Sequence, residues 1–181
     1  MRSIITLFVL SLWWAVPMFG QSTTVTASIS LSTPSPSCTI SGVSNLNYGT
    51  VEKPGSGTGS IVINAQTGAR TSSTLSISGS GSVGQARLSG SNVASYSVAR
   101  TFPSTLTNSS SSLTYAGTWA QSSSSSSNYS AVSGTSYSGT SGGPGATFTH
   151  FFRFGGTVSD ITLSKANGTY TGTISLAATC N

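Results

Sequence analysis

The chain has 181 residues, carries a formal net charge of +5 at pH 7 and contains only two acidic side chains. Its seven basic residues are scattered and form no cluster, which argues against nucleic-acid binding. Glu52 and Asp160 are the only possible carboxylate pair, and no G-x-S-x-G motif is present. The sequence therefore offers few side chains for acid–base or hydrolase catalysis. One histidine and two cysteines do not make a metal-ligand cluster. We therefore expect no enzyme, no metal and no cofactor.

The N-terminal residues MRSIITLFVLSLWWAVPMFGQS place Arg2 before an apolar run from Ile4 to Val16, and Gly20 precedes a polar stretch. This order is typical of a secretory signal peptide. The apolar run is shorter than the roughly 20 residues that a spanning helix needs, so a membrane anchor is disfavoured. We predict that residues 1–20 are a signal peptide, that no stable membrane span remains after cleavage, and that the protein is exported through the periplasm to the cell surface.

Residues 22–32 precede the rest of the mature chain as a separate apolar–polar segment. The apolar side chains alternate with Ser and Thr, which predicts a strand with one apolar face, made of Val25, Ala27, Ile29 and Leu31. Pro34 and Pro36 follow and interrupt the strand pattern. We interpret residues 21–36 as a donor-strand arm with a proline hinge, with an ordinary first strand of the same subunit as the alternative.

The remaining chain alternates small polar and apolar residues in short runs separated by Gly, Ser, Pro and Asn. The runs are SIVINA, TLSIS, SYSV, SLTYAGTW, TFTHFFRF and TYTGTISLAA. Alternation with period two is typical of antiparallel sheets that have one core face and one wet face. The sequence therefore predicts an all-β, Ig-like antiparallel β-sandwich over residues 37–181.

A Ser/Gly-rich stretch interrupts this rhythm at residues 121–145. It has few large apolar side chains with which to offset the entropy of ordering, so we predict a long mobile loop that is dispensable for folding. Three aromatic residues in or beside it are candidate ligand contacts, because their rings could stack on a sugar or a partner: Trp119, Tyr129 and Tyr137.

The cysteines and the histidine have structural interpretations. In an exported chain two cysteines predict one bridge, Cys38–Cys180, which ties the first core strand to the end of the last one. We expect His150 to be a partly exposed strand residue on the face opposite Phe148 and Phe152.

Two segments carry a resemblance to a known family. LNYGTVEKPGSGTGSIVINAQTGART and FRFGGTVSDITLSKANGTYTGTISLAATCN resemble a family of secreted bacterial proteins known mainly as a domain of unknown function, which has an Ig-like sandwich. The family is similar in pattern to chaperone–usher pilins and spore-coat-U-like fimbrial subunits. That resemblance implies a sandwich without its last strand, completed by an N-terminal extension of the next subunit. Gly168 matches the glycine that pilins carry fourteen residues from the end, whereas Cys180 replaces their penultimate aromatic residue.

The leading functional interpretation is a structural subunit of an extracellular filament. Its partners would be identical subunits head-to-tail, with a periplasmic chaperone and an outer-membrane usher as candidates. The groove would be flanked by a strand carrying Tyr170, Ile174 and Leu176, since a chain whose last predicted strand has an uncovered edge invites strand addition. The alternative is a self-completed monomeric adhesin or matrix-binding module that uses the aromatic loop.

Overall fold

The computed structural model describes residues 28–32 and 34–181. The predicted signal peptide, residues 1–20, and the arm residues Val25 and Ala27 lie outside the described residues. Residues 28–32 have no regular secondary structure, and Ile29 and Leu31 are 83% and 86% exposed.

Within residues 34–181 every regular element is a β-strand, and the strands pair in antiparallel fashion, as the alternation predicted. Their bounds are β1 (Ser37–Ser44), β2 (Thr50–Val51), β3 (Gly59–Ile63), β4 (Arg70–Ser73), β5 (Ile77–Ser78), β6 (Gly84–Ser91), β7 (Ser95–Thr101), β8 (Thr105–Asn108), β9 (Ser111–Ser122), β10 (Ser130–Ala131), β11 (Ser136–Thr140), β12 (Thr147–Ile161) and β13 (Ser175–Cys180). Of the described residues, no helix is long and apolar enough to cross a membrane.

The strands form an antiparallel sandwich consistent with an Ig-like fold. In the larger sheet β12 is central: one edge pairs first with β6 and then with β3, and the other edge pairs with β9. β1 adds to β6, β4 adds to β3, and β8 and β10 add to β9. The smaller sheet has the order β11–β7–β13, and β2 and β5 form a separate pair.

The strand β12 changes partner at the pair Gly155–Gly156. A Cβ atom on Gly155 would overlap the carbonyl oxygen of Ile63, and one on Gly156, whose φ is +144°, would overlap the carbonyl oxygen of Ala116. Only glycine has no Cβ to place there. The two glycines therefore let the neighbouring backbones approach closely where β12 passes from β6 to β3.

The main core lies between the two sheets. Leu88, Trp119 and Phe152 of the larger sheet are fully buried there with Val98 of the smaller sheet, and Leu176 of β13 packs against the same cluster. Burial of these apolar side chains is the main source of the fold's stability.

The expected position of His150 was wrong. His150 is 8% exposed and its ring lies 5.3 Å from that of Phe152, on the inward face of β12. Residues two apart in a strand point to the same side, so Phe148, His150 and Phe152 share one face. His150 is therefore a core residue.

The structure also differs from the predicted mobile loop over residues 121–145. This segment contains β10, which pairs with β9, and β11, which forms an edge of the smaller sheet. Tyr129 is buried, and the backbone at Gly134 accepts hydrogen bonds from Trp119 Nε1 (3.1 Å) and Arg100 Nη2 (2.9 Å). Composition missed these contacts because serine and glycine can pair through their backbones, which do not depend on an apolar side chain.

Candidate functional site

A cavity of about 1060 Å³ lies along one side of the sandwich. One wall is the segment from Gly42 to Lys53, and the opposite wall is the segment from Lys165 to Leu176. The floor is apolar and consists of side chains from β3, β9 and β12, namely Ile61, Leu113, Tyr115, Phe154, Val158 and Ile161. We call this cavity the groove.

The first wall is held in place by a backbone turn in the motif LNYGT. Gly49 has a φ of +76° and its N–H donates to Asn47 Oδ1 at 2.9 Å, and Arg70 Nη1 donates to the carbonyl of Tyr48 at 2.9 Å. The hydroxyl of Tyr48 donates to the carbonyl of Gly156 at 2.8 Å. These bonds fix Tyr48 across the groove, where its ring covers part of the floor.

The second wall is fixed by the motif GTYTGT. Thr171 exchanges two backbone hydrogen bonds with Thr107, at 2.8 and 2.9 Å, and the hydroxyl of Tyr170 donates to the carbonyl of Ala166 at 2.9 Å. Gly172 lies against Leu106, where a Cβ atom would be too close. The wall thus packs onto the β8 region before the chain enters β13.

The edge of β13 that faces away from β7 has unpaired backbone groups, and Leu176 is the residue of this strand that lines the groove. Asn181 exchanges hydrogen bonds with Ser95, so odd-numbered residues of this strand bond to β7. The N–H and C=O groups of the even-numbered residues, Leu176 and Ala178 among them, therefore point to the other side. No strand pairs with that side anywhere in the described part of the chain.

The groove is almost uncharged. Its titratable lining comprises three tyrosines and two lysines, and no carboxylate lies in it. Burial raises the pKa of Tyr115 to about 12, and burial also raises the pKa of Tyr48, so both hydroxyls stay neutral at physiological pH. Lys53 and Lys165 lie at one end, where Lys53 Nζ donates to the carbonyl of Lys165 at 2.8 Å and Lys165 Nζ donates to that of Ser112 at 2.6 Å. Such a surface suits an apolar, uncharged segment with backbone donors and acceptors.

The predicted wall residues Tyr170, Ile174 and Leu176 all line the groove, although only Leu176 belongs to β13. The predicted disulfide is confirmed: Cys38 and Cys180 are bonded, with their Cα atoms 6.3 Å apart. The bond joins β1 of the larger sheet to β13 of the smaller sheet.

The three candidate ligand contacts lie elsewhere and do not form one surface. Trp119 and Tyr129 are 2% and 7% exposed, in separate clusters. Tyr137 is half-buried and stacks on His150, with ring centroids 5.3 Å apart. Their rings pack in the protein and offer little free face for a sugar.

The residues that sequence reasoning missed are the ones that shape the floor and walls, above all Tyr48, Tyr115 and Gly155. Tyr115 donates from its hydroxyl to the carbonyl of Gly155 at 2.8 Å. The motifs LNYGT and FGGT were recognised as family features, but their pairing across 108 residues, as between Tyr48 and Gly156, leaves no local pattern. In the described residues no cluster of three or more His, Cys, Asp or Glu side chains could hold a metal ion.

Comparison with known proteins gives one family match. Searches of curated proteins and of solved structures returned no match. The sequence profile of DUF4402, a domain of unknown function, matches residues 38–179, which include both cavity walls and all of β1 to β12 except the first residue of β1. The chain therefore belongs to the DUF4402 family.

Proposed function

We propose that this protein is a structural subunit of an extracellular bacterial filament, in which each subunit donates residues 22–32 to the groove of a neighbour. The observation that carries the proposal is a groove with an apolar floor and no carboxylate, which reaches the unpaired edge of β13 at Leu176. An added strand would complete the ladder along that edge, while its alternate side chains would fill the groove.

The arm has the chemistry that the groove requires. It contains no charged residue between positions 22 and 32. Its described apolar side chains, Ile29 and Leu31, are more than four-fifths exposed, which is a cost in water that docking would remove. Burying Val25, Ile29 and Leu31 would contribute roughly 1.5 to 3 kcal/mol each.

The contact is head-to-tail, because arm and groove are different surfaces of one subunit. Such a contact propagates into a fibre when its rotation does not close a ring. The predicted signal peptide supports export through the periplasm, where a chaperone would have to cover the groove until assembly. A chaperone and an outer-membrane usher are therefore the proposed assembly partners.

The test compares two single substitutions in the arm of the mature chain. Ile29→Asp puts a carboxylate on the apolar face, where docking would bury it against the apolar floor, while the two lysines of the groove, Lys53 and Lys165, lie at one end and already bond backbone carbonyls. An unpaired buried charge costs several kcal/mol, so this variant should remain monomeric. Ser30→Asp carries the same charge on the opposite face and should assemble. Electrophoresis without heating and electron microscopy report the assembly state.

Two outcomes would contradict the proposal. Normal polymerisation of Ile29→Asp would mean that the arm is not the donor. A misfolded Ile29→Asp monomer that a peptide of residues 22–32 cannot rescue would make the segment a strand of its own subunit, as a self-completed adhesin requires. Circular dichroism and thermal melting of both variants separate misfolding from failed assembly.

A further inference from the structure

We infer that the Cys38–Cys180 disulfide is the closed end of the groove and acts as a stop that fixes the register of the incoming strand. The inference rests on the proposed function, because it concerns the occupant that the groove accepts. It gives the bond a role in assembly that is separate from its contribution to stability.

The spacing of the strands at the bond leaves no room for another strand. Neighbouring strands in a sheet are about 4.8 Å apart, so a strand inserted between two others separates them by roughly 9.6 Å. The Cα atoms of Cys38 and Cys180 are only 6.3 Å apart. A strand that follows the edge of β13 must therefore end before it reaches the bond.

The groove ends before the bond on both walls. Its lining ends at Gly42 on β1 and at Leu176 on β13, four residues from the cysteine in each strand. Between those points and the bond, Ile40 and Ala178 pack against the main core cluster. Core packing and the covalent bond together close this end.

The connection to the donor domain decides which end of the arm lies at the stop. Residue 32 continues through Pro34 and Pro36 into the donor's own β1, so that end must leave the groove where it is open. The residue 22 end then points to the bond. Since β13 runs toward Cys180, the arm lies antiparallel to β13 and parallel to β1.

A stop is needed because the arm pattern does not define a single register. Val25, Ala27, Ile29 and Leu31 are spaced by two residues, so a slip by two keeps apolar side chains toward the floor. Backbone ladder bonds are the same in both registers. A steric limit at one end removes this degeneracy and gives every subunit the same spacing along the fibre.

The experiment measures how an extension of the arm changes its affinity, with and without the bond. The acceptor is the full mature chain carrying Ile29→Asp, whose groove is unaltered. Three labelled peptides serve as probes. One comprises residues 22–32, the second has Thr-Val-Thr-Val added before residue 22, and the third, the composition control, has Thr-Val-Thr-Val added after residue 32. Each is titrated into the bridged acceptor and into an acceptor that also carries Cys38→Ser and Cys180→Ser.

The extension at the residue 22 end should leave affinity within about twofold in the bridged acceptor. In the acceptor without the bond it should tighten binding about tenfold or more, because two further valines become buried. Equal tightening in both acceptors, or none in either, would overturn the stop. Failure of the unextended peptide to bind the bridged acceptor would instead overturn the proposed function.

Hydrogen exchange in the bridged acceptor provides a second measurement if the serine variant does not fold. The N–H groups of Leu176 and Cys180 both point away from β7. Peptide binding should slow exchange at Leu176 and leave Cys180 unchanged. Slowed exchange at Cys180 would show that a strand passes the bond, and the inference would be wrong.

Discussion

His150 is a neutral core side chain in contact with polar and aromatic partners from both sheets. Its Nε2–H donates to Gln121 Oε1 at 2.6 Å, and its ring stacks on that of Tyr137 of β11. Burial lowers the pKa of His150 below its ordinary value, because the surrounding rings solvate the imidazolium form poorly. Protonation is therefore coupled to unfolding.

We predict that stability falls when the pH is lowered from 7 toward 5. The unfolded chain takes up a proton near pH 6.5 and the folded chain only at a lower pH, so the free energy of unfolding decreases by up to about 1.4 kcal/mol per pH unit between the two. His150 is the only histidine of the chain, so His150→Gln should abolish the slope. Urea unfolding at several pH values measures it, and an unchanged slope in the variant would contradict the assignment.

The packing of the larger sheet depends on the pair Gly155–Gly156, where an added Cβ atom would overlap the neighbouring backbone. Gly155→Ala should lower the free energy of unfolding by about 2 kcal/mol or more, because the added Cβ would overlap the Ile63 backbone, which cannot move without breaking the β12–β3 ladder. Gly55→Ala is the matched control, since nothing lies within 4 Å of the added atom. Equal urea midpoints for the two variants would show that β12 adjusts freely at this point.

At the scale of elements, the Ser/Gly-rich segment 121–145 has backbone roles that its composition hid. Ser122 Oγ donates to the carbonyl of Ser127 at 2.8 Å, which closes a short turn, and β11 then adds an edge to the smaller sheet. Tyr137 is the one large side chain that β11 contributes to the core cluster. The composition of the segment predicts that it is dispensable for folding, but for β11 we expect the opposite, namely that folding requires it.

We predict that Tyr137→Ala destabilises the domain by about 2 kcal/mol, through lost burial and lost contact with the rings of His150 and Phe152. Ser138→Ala changes the next residue, which is exposed on the other face of β11, and should be nearly neutral. Thermal melting of the two variants tests this prediction. Equal melting temperatures would mean that Tyr137 adds nothing to the core and that the segment is a surface insertion.

For the whole molecule, strand content, the disulfide and three residues of one groove wall could be predicted from the sequence, whereas the other wall and the floor could not. Alternation in SIVINA and SLTYAGTW gave β3 and much of β9, because one face of each is buried. β6 was not predicted, because its inward-facing positions include Gly84 and Gly90, which have no apolar side chain and so break the alternating pattern. Tyr48 joins the groove through a contact with Gly156 that is distant in sequence, and only the family resemblance pointed to it.

In the proposed filament, arm and groove would make each subunit asymmetric, with one surface that donates a strand and another that accepts one. A subunit with a defective arm and an intact groove would still accept a strand. It would not donate to the next subunit, so a fibre that incorporated it would stop growing at that end. Fibre length would then report on the head-to-tail contact, because a symmetric contact closes into a dimer and forms no fibre.

We predict that Ile29→Asp shortens fibres in proportion to its share of a mixture. At one variant per ten subunits the mean length should fall to about ten subunits, because each added subunit has about one chance in ten of ending the chain. Ser30→Asp at the same ratio should leave the length distribution unchanged, since its charge lies on the face that would point away from the groove. Electron micrographs of mixtures assembled from monomer measure both. If Ile29→Asp left fibre length unchanged while it remained monomeric alone, its groove would not be accepting wild-type arms, and the groove could not be the site that joins subunits.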